Sequence, residues 1–202
     1  EVGSYCGFFL DTFKKKYNDW ECIGVEPSKW AAEYARNHLK INTKTGTLGN
    51  NIKDLPSDFD TVVTWDVLEH LNDPSAFLIQ INSVMKLNGI FCFSTLDIDN
   101  WFPKLMGKHW PWLMEMHLFY YKTGTTEQLL NKAGFNILRT EKYIHYVSIH
   151  YLVGKVIAIL PDWLEKPLNI AKSAMPQKIM IPISFGDIKL YICEKDKSIG
   201  RM

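Results

Sequence analysis

The fold is decided by residues 1–10, EVGSYCGFFL, which are typical of a strand end, a glycine-bounded turn and the start of a helix. In open α/β sheets, ligands bind at the carboxyl ends of strands, where helix N-termini present free N–H groups. Glu26 ends the next strand-like run, and a carboxylate at that place can accept both hydroxyls of a ribose. The stretch therefore favours a nucleoside-type site over an ordinary strand-to-helix connection.

Tyr5 limits which nucleotide this loop can bind. A dinucleotide-binding loop needs glycine at its middle position so that the backbone can approach a pyrophosphate, and Tyr5 occupies that position here. A ligand with an amino-acid tail and no phosphate is less demanding. A nucleotide-dependent oxidoreductase is therefore the disfavoured alternative.

Outward from this loop, strand-like and helical patterns alternate over the first two-thirds of the chain. Apolar runs at 22–25, 61–65 and 90–94 predict strands, and the alternating run at 187–193 predicts a final strand with one face partly exposed. Strands alternating with helices predict βαβ units with right-handed crossovers. The expected fold class is α/β, with a Rossmann-like, doubly wound and mostly parallel sheet.

Helix ends are predicted from their capping residues. Ser28, Asp73 and Thr123 are expected to cap the N-termini of three helices. Asn88-Gly89 is expected to end the second of these helices, and Gly134 the third, because both sequences suit a left-handed C-terminal cap. These signals fix the expected boundaries of the helices that flank the sheet.

The composition indicates a sizeable core and little net charge. Of the 202 residues, 47% are hydrophobic, and 23 Lys and Arg balance 22 Asp and Glu to a formal charge of +1, so no global attraction to nucleic acid is expected. The four cysteines form no CxxC pair, which disfavours a zinc site or a disulfide framework and predicts reduced thiols in the cytoplasm. Because the chain begins at Glu1 rather than at Met, an N-terminal segment is expected to be missing.

Four segments then identify a family resemblance. They are EVGSYCGFFL at 1–10, IGVEPS at 23–28, FDTVVTWDVLEHLNDP at 59–74 and LNGIFCFSTLD at 87–97. In this order and spacing they resemble the class I S-adenosylmethionine-dependent methyltransferases, above all the small-molecule branch that carries a D/E-VLEH-L-DP motif, similar to the ubiquinone-biosynthesis O-methyltransferases. The likeness continues more loosely through HLFYY and LLNKAGF. It implies an antiparallel last strand and a helical lid.

The resemblance implies a set of residues that bind S-adenosylmethionine. They are Glu1, Gly3, Ser4, Tyr5, Gly7, Glu26, Thr47, Leu48, Trp65 and Asp66. The loop backbone would meet the methionine moiety, Glu26 would hold the ribose, and Thr47 with Leu48 would flank the adenine. The last two residues of the set would line the pocket below the sulfonium, although Trp65 suits a plain core position equally well.

The cluster Asp66, Glu69 and His70 has helical i, i+3, i+4 spacing, so in a helical turn its members would share one face near the cofactor's methyl group. In the favoured interpretation, Glu69 and His70 orient the loop through hydrogen bonds. In the alternative, the cluster binds a divalent cation that orients a catechol-like substrate, as in similar methyltransferases that act on ubiquinone precursors. No metal site is predicted on the favoured interpretation.

His117 is the predicted catalytic base, with His70 as the second candidate. Methyl transfer from a sulfonium is an in-line displacement that depends mainly on positioning, and a hydroxyl acceptor also needs a base of near-neutral pKa. His117 follows the aromatic segment that is expected to cover the acceptor pocket, although a structural histidine in a packed lid is an equal alternative. The expected reaction methylates a small molecule, preferably on oxygen, and yields S-adenosylhomocysteine. A non-catalytic, cofactor-binding member of the fold is the alternative.

The expected organisation is a single methyltransferase domain over 1–202, with a cofactor-binding half at 1–97 and lid or substrate-side insertions at 98–122 and 144–182. The aromatic residues of 101–121 favour an apolar or flat aromatic acceptor, although the same residues also suit a plain core. A lipid-linked acceptor would require the second insertion to lie on a membrane surface. The second insertion is expected to form amphipathic helices that act as a lid or as a homodimer contact. Contact with a membrane surface is less favoured.

Overall fold

The computed structural model describes residues 1–157, 166, 168–169, 172–173, 176 and 179–197. The chain divides into two compact units, one of Glu1–Glu141 with Gly186–Met202 and one of Lys142–Phe185. The predicted division into a cofactor-binding half and two insertions stays a prediction. Among the described residues, no helix has both the length and the apolar character that crossing a membrane requires.

The first unit alternates strands and helices, as the sequence predicts. Its strands are β1 Ile23–Glu26, β2 Asn42–Thr45, β3 Phe59–Trp65, β4 Met85–Leu96, β5 Phe135–Lys142 and, after the second unit, the final strand Ile188–Lys195. Its helices are α1 Phe8–Lys16, α2 Lys29–His38, α3 Leu48–Asn51, α4 Pro74–Val84, α5 Trp101–Met106 and α6 Thr123–Lys132.

The strands run mostly parallel. β1 pairs in parallel with β2, and β3 in parallel with β4, whereas the final strand, Ile188–Lys195, runs antiparallel to β4. The opening residues connect the two parallel pairs, because Val2 bridges Val25 in parallel and donates its N–H to the Val63 carbonyl at 2.9 Å. The predicted α/β fold, with a mostly parallel sheet and an antiparallel last strand, is confirmed.

The core lies against the central strands, which holds their carboxyl ends in fixed positions. Phe91 and Phe93 of β4 are fully buried and stack with their ring centroids 4.9 Å apart. Phe93 also stacks on Tyr191 of the final strand at 5.0 Å, and Phe91 contacts Phe135 of β5 at 5.2 Å. Burial of these rings and their pairwise contacts stabilise the sheet.

Two predicted N-caps are confirmed and one is wrong. Ser28 accepts the Ala31 N–H at 3.3 Å, and Asp73 accepts the Ala76 N–H at 2.9 Å. Thr123 does not cap α6 but is its first residue, and its hydroxyl donates to the buried carboxylate of Asp97 at 3.1 Å and accepts a hydrogen bond from the Lys189 ammonium. Hydrogen bonds to charged groups are stronger than a bond to a neutral backbone N–H, so the hydroxyl bonds to these distant partners and not to the helix terminus.

The predicted helix end at Asn88-Gly89 is also wrong. α4 ends at Val84, and Met85 already belongs to β4, where it is buried and pairs with Phe59. Asn88 does have a left-handed conformation, with φ 61, but it lies inside β4 where the register with β3 shifts. Burial of Met85 in the sheet therefore ends the helix earlier than the local turn signal does.

The second unit, Lys142–Phe185, contains β6 His145–Ser148, α7 Ile149–Ile157 and β7 Met180–Ile183. The final strand of the first unit, Ile188–Lys195, is numbered β8. β6 and β7 pair antiparallel. Amphipathic helices are expected throughout this insertion. The expectation is confirmed for α7, but it is wrong for β6 and β7, which are strands. The rest of the predicted insertion, at 158–165 and at several positions between 167 and 178, lies outside the described residues.

Candidate active site

The loop between the chain start and α1 is held in a conformation that suits glycine. Gly3, Tyr5 and Gly7 all have positive φ angles, at 75°, 46° and 80°. A Cβ on Gly3 would lie 2.6 Å from Cγ2 of Val67, in the segment that follows β3. Gly3 is therefore required both by backbone conformation and by the close approach of two loops.

Glu26 ties this loop to the start of α2. The side chain is 8% exposed, and its two carboxylate oxygens accept the Tyr5 N–H and the Ser28 N–H, each at 2.8 Å. Each oxygen keeps a further lone pair for another donor. The carboxylate thus lies beside the loop backbone, where the sequence predicts an acceptor for the hydroxyls of a ribose.

A cavity of about 250 Å³ opens next to this loop, between the ends of β1, β2 and β3. Its lining includes three predicted cofactor residues, Gly3, Thr47 and Leu48. Thr47 caps α3 by accepting the Asn50 N–H at 3.3 Å, and Leu48 is buried. Ser4, a buried residue, belongs to the loop that borders the cavity, and its hydroxyl has no hydrogen-bond partner among the described residues.

The cavity also has lining residues that sequence reasoning missed. They include Pro27, Gly46, Gly49, Asn72 and Gln80. Gly46 has φ 118 and donates its N–H to the Glu26 carbonyl at 2.9 Å, so it joins the end of β2 to the end of β1. The sequence GTLG at 46–49 carried this signal, because paired glycines after a strand indicate close backbone packing.

Glu1 lies elsewhere. Its side chain lines a separate, mostly apolar cavity of about 90 Å³, toward the amino ends of β1 and β3. Burial raises the pKa of the Glu1 carboxyl to about 7, and its Oε2 has no hydrogen-bond partner among the described residues. Of the predicted cofactor residues, Glu1 and Leu48 line this second cavity, and Leu48 lines the first cavity as well.

Trp65 and Asp66 occupy the carboxyl end of β3, where the sequence places them. The Trp65 ring packs edge-on against Phe9 of α1 at 5.2 Å. Asp66 has φ 51, and Ser94 at the end of β4 fixes it on both sides: the Ser94 hydroxyl accepts the Asp66 N–H at 3.0 Å and donates to Asp66 Oδ1 at 2.7 Å. A non-glycine residue in this conformation needs such support.

The predicted helical turn is shorter than expected, and this changes the cluster around Glu69. Only Leu68–His70 form a 3₁₀ turn, and Asp66 precedes it in a left-handed conformation. Glu69 and His70 meet His117 instead, and the three candidate ligand atoms lie within 4.8 Å of one another. The sequence predicted both histidines as catalytic candidates but did not predict that they pack together, with ring centroids 4.7 Å apart.

Both histidines are oriented by backbone carbonyls. His70 Nδ1 lies 2.9 Å from the Met116 carbonyl, and His117 Nδ1 lies 2.7 Å from the Trp112 carbonyl. A carbonyl only accepts hydrogen bonds, so Nδ1 carries the proton in each ring, and each neutral imidazole has its lone pair on Nε2. This is the tautomer that a base or a metal ligand needs.

Glu69 is a buried acid between these elements, only 1% exposed. Burial raises the pKa of its carboxyl to about 7, and the negative charge of Asp66 adds to the rise. The Thr95 hydroxyl donates to Glu69 Oε2 at 3.1 Å. The Glu69 carbonyl accepts the N–H groups of the two residues that follow His117. These bonds join the segment that carries His117 to the backbone next to His70.

One carboxylate and two imidazoles also form a donor set that suits a divalent transition metal. Within the part of the chain that the structure describes, Glu69, His70 and His117 are close enough to hold such an ion. The same three groups can equally act as a hydrogen-bonded acid and base cluster. The geometry is therefore compatible with both interpretations of the sequence, a hydrogen-bonded cluster that orients the loop and a divalent cation site. In both, His117 takes the place predicted for Asp66.

Comparisons with a family model and with curated proteins agree on one family. Residues 1–140 match the family model of a methyltransferase domain. An uncharacterized methyltransferase of Schizosaccharomyces pombe is 36% identical over 110 residues, which cover 48% of this chain and 39% of the relative. A ubiquinone biosynthesis O-methyltransferase of Rhodopseudomonas palustris is 30% identical over 106 residues, 50% of this chain and 40% of the relative. The chain thus spans about two-fifths of the length of these relatives.

The solved structures agree on the fold. A SAM-dependent methyltransferase of Thermotoga maritima, described as a possible histamine N-methyltransferase, superposes with a TM-score of 0.61 at 20% identity, over 97% of this chain and 80% of that one. The resemblance inferred from the four sequence segments is confirmed at the level of family and fold.

Proposed function

The chain belongs to the methyltransferase-domain family, and we propose that it transfers a methyl group from S-adenosylmethionine to a hydroxyl of a small molecule. The observation that carries the proposal is the position of Glu26. Its carboxylate accepts the N–H groups of Tyr5 and Ser28, and each of its oxygens has a lone pair to spare. Val25 and Pro27, its neighbours in the chain, line the cavity between the strand ends. A ribose presents a pair of hydroxyl donors that matches this acceptor.

The other cofactor contacts follow from the same loop. The backbone at Gly3, Ser4 and Tyr5 would bind the methionine moiety, with Gly7 shaping the turn. Thr47 and Leu48 would flank the adenine in the cavity that they line. Trp65 and Asp66 would lie below the sulfonium, at the end of β3. Glu1 would act indirectly, because its side chain lines the other cavity.

The chemistry needs alignment and one proton acceptor. S-adenosylmethionine supplies an activated methyl group and leaves as S-adenosylhomocysteine. The acceptor oxygen forms a bond to the methyl carbon as the carbon–sulfur bond breaks, and the hydroxyl proton passes to Nε2 of His117. His70 packs against His117 and is the second candidate for this role. The Trp112 carbonyl holds the required tautomer of His117.

An apolar acceptor is favoured by the surface around His117. Met116, Leu118 and Phe119 are exposed on either side of the buried His117 in the chain. Exposed apolar side chains grouped beside polar catalytic groups are typical of a binding surface for a flat or hydrophobic ligand. An aromatic acceptor fits this surface, and so does a lipid-linked one.

Calorimetry tests the cofactor part of the proposal. We expect S-adenosylhomocysteine to bind and NAD not to bind. Glu26→Gln should lower the affinity for S-adenosylhomocysteine by about tenfold or more, because the amide offers one acceptor oxygen in place of two. Glu127→Gln on α6, where the side chain is exposed, is the matched control. Equal affinity of the Glu26→Gln variant and the control would refute the assignment.

A methyl-release assay tests the reaction itself. Paired aromatic compounds that differ only in a hydroxyl, an amine or a carbon nucleophile should give turnover for the hydroxyl member. Turnover only with amines would replace O-methylation by N-methylation. Binding of S-adenosylhomocysteine with no turnover on any member would favour the non-catalytic alternative.

A further inference from the structure

The structure contains a buried pair, Asp187 and Trp110, that the reaction does not use directly. Trp110 Nε1 donates to Asp187 Oδ2 at 2.8 Å, across 77 positions of sequence. Trp110 is 3% exposed and Asp187 4% exposed. A buried carboxylate is costly unless it accepts hydrogen bonds, so this contact holds the two residues together firmly.

Asp187 is fixed to the sheet. It directly precedes β8, and its carbonyl accepts the Asp97 N–H at 2.8 Å, next to the last paired residues of β4 and β8, Leu96 and Ile188. The carboxylate of Asp97 has its own partner in Lys189, at 2.6 Å. Asp187 therefore offers a separate acceptor at a rigid place in the fold.

Trp110 begins a turn that is organised around the hydroxyl of Tyr120. The Leu113 N–H bonds the Trp110 carbonyl at 3.0 Å. The Tyr120 hydroxyl accepts the Met114 N–H at 3.0 Å and donates to the Met114 carbonyl at 3.1 Å. The Trp110 and Tyr120 rings are in contact, with centroids 5.8 Å apart. The turn at 110–114 is thus held from both sides.

This turn carries the carbonyl that orients His117. His117 Nδ1 bonds the Trp112 carbonyl at 2.7 Å, and the Tyr120 hydroxyl lies 3.4 Å from the same oxygen. The His117 and Tyr120 rings lie 6.0 Å apart. Contacts therefore run without interruption from Asp187 through Trp110 and Tyr120 to the imidazole.

We propose that Asp187 and Trp110 are positioning residues, which hold the turn at 110–114 so that the Trp112 carbonyl keeps His117 protonated on Nδ1 and basic on Nε2. The consequence for catalysis rests on the proposed function, whereas the effect on the His117 tautomer does not. Neither residue touches the reacting atoms. Their effect reaches the base through the backbone.

Trp110→Phe is the direct test, because it removes the indole N–H and keeps an aromatic ring in place. Nitrogen-15 NMR of the imidazoles reports the tautomer of His117. We expect the wild type to hold His117 in the Nδ1–H form and Trp110→Phe to shift it to a mixture. Trp20→Phe is the matched control, since Trp20 lies beside the second cavity, at the amino end of β1. Asp187→Asn should preserve the wild-type tautomer, because its amide oxygen still accepts the indole N–H.

Methyl-transfer kinetics give the second measurement. We expect kcat of Trp110→Phe to fall by about tenfold, with the KM for S-adenosylmethionine unchanged, and the pH profile of kcat to move because the base has changed. If Trp110→Phe fails to fold, Asp187→Leu removes the acceptor of the same indole N–H and should give the same tautomer shift. A folded variant of either kind with an unchanged His117 tautomer overturns the proposal. A tautomer shift in Trp110→Phe, together with a wild-type protein that transfers no methyl group, would support this proposal and refute the proposed function.

Discussion

The cofactor side and the acceptor side of this molecule are built in different ways. On the cofactor side, the loop at residues 3–7 and Glu26 lie close together in the sequence, and backbone groups make the main contacts. On the acceptor side, Glu69 and His117 come from distant segments, and the contacts depend on side chains and on single carbonyls. The first region is set by local conformation and the second by tertiary packing.

This difference predicts different responses to mutation. A change on the cofactor side should act on the backbone, so that folding and cofactor binding fail together. A change on the acceptor side should leave the fold and the cofactor affinity in place and act on turnover alone. Variants at each side can therefore confirm the comparison or contradict it.

Gly3→Ala is expected to have the largest effect. Its Cβ would lie 2.6 Å from Cγ2 of Val67, and φ 75 strains any residue with a side chain. We expect the free energy of unfolding in urea to fall by about 3 kcal/mol or more, and binding of S-adenosylhomocysteine to be lost.

Two further variants sharpen this result. Gly124→Ala in α6 meets no atom within 4 Å, so it should stabilise the protein slightly, by about 0.5 kcal/mol. Adding Val67→Ala to Gly3→Ala relieves the clash but not the strain in φ, and should restore part of the stability. If Gly3→Ala unfolds at the same urea concentration as the wild type, the loop is not as tightly packed as described.

His117→Ala should produce the next largest effect, confined to turnover. Loss of the base is expected to lower kcat by about 100-fold, while S-adenosylhomocysteine binds within about twofold of its wild-type affinity. His109→Ala is the control, because His109 lies in an exposed 3₁₀ turn outside the cluster. Wild-type turnover in His117→Ala would assign this histidine a structural role only.

The cofactor side could be predicted from the sequence because its signals are local. The glycines at 3 and 7 precede α1 and the carboxylate at 26 ends β1, the next strand, and the caps at Ser28 and Asp73 need only neighbouring N–H groups. The parallel sheet could be predicted for the same reason, because each strand and each helix has its own local pattern. The close approach of Val67 to Gly3 is the exception, because no short sequence pattern connects these two segments.

The acceptor side could be predicted only in part. The predicted cap at Thr123 is wrong because its hydroxyl bonds to the distant Asp97 carboxylate. The predicted helix end at Asn88 is wrong because Met85 is buried in β4, where it pairs with Phe59. His117 was identified by its residue type, but its approach to Glu69 results from packing between segments that no short pattern connects.

The pH dependence of stability provides a smaller test, on Glu69. Burial raises the pKa of its carboxyl to about 7, above the value of 4.5 expected in the unfolded chain. Between these two values the folded protein holds the proton more tightly, so this group's contribution to stability is complete below about pH 4.5 and is lost as the pH rises through 7. Relative to Glu69→Gln, the wild type should lose about 1 kcal/mol of unfolding free energy per pH unit in this range. Parallel stability curves for the two proteins would mean that Glu69 titrates normally.

Titration with Mg²⁺ or Zn²⁺ should have the smallest effect, which we expect to be none. Glu69, His70 and His117 form a suitable donor set, but the buried Glu69 holds its proton up to about pH 7, and a metal ion would have to displace that proton and bring its charge into a buried site. The protein saturated with S-adenosylhomocysteine should therefore show no saturable heat on addition of either ion, and turnover should not change after treatment with a chelator. A saturable signal that is absent in Glu69→Gln and retained in Glu127→Gln would instead make the acceptor side a metal site. The contrast with the cofactor side would then be between a metal-ordered region and a backbone-ordered one.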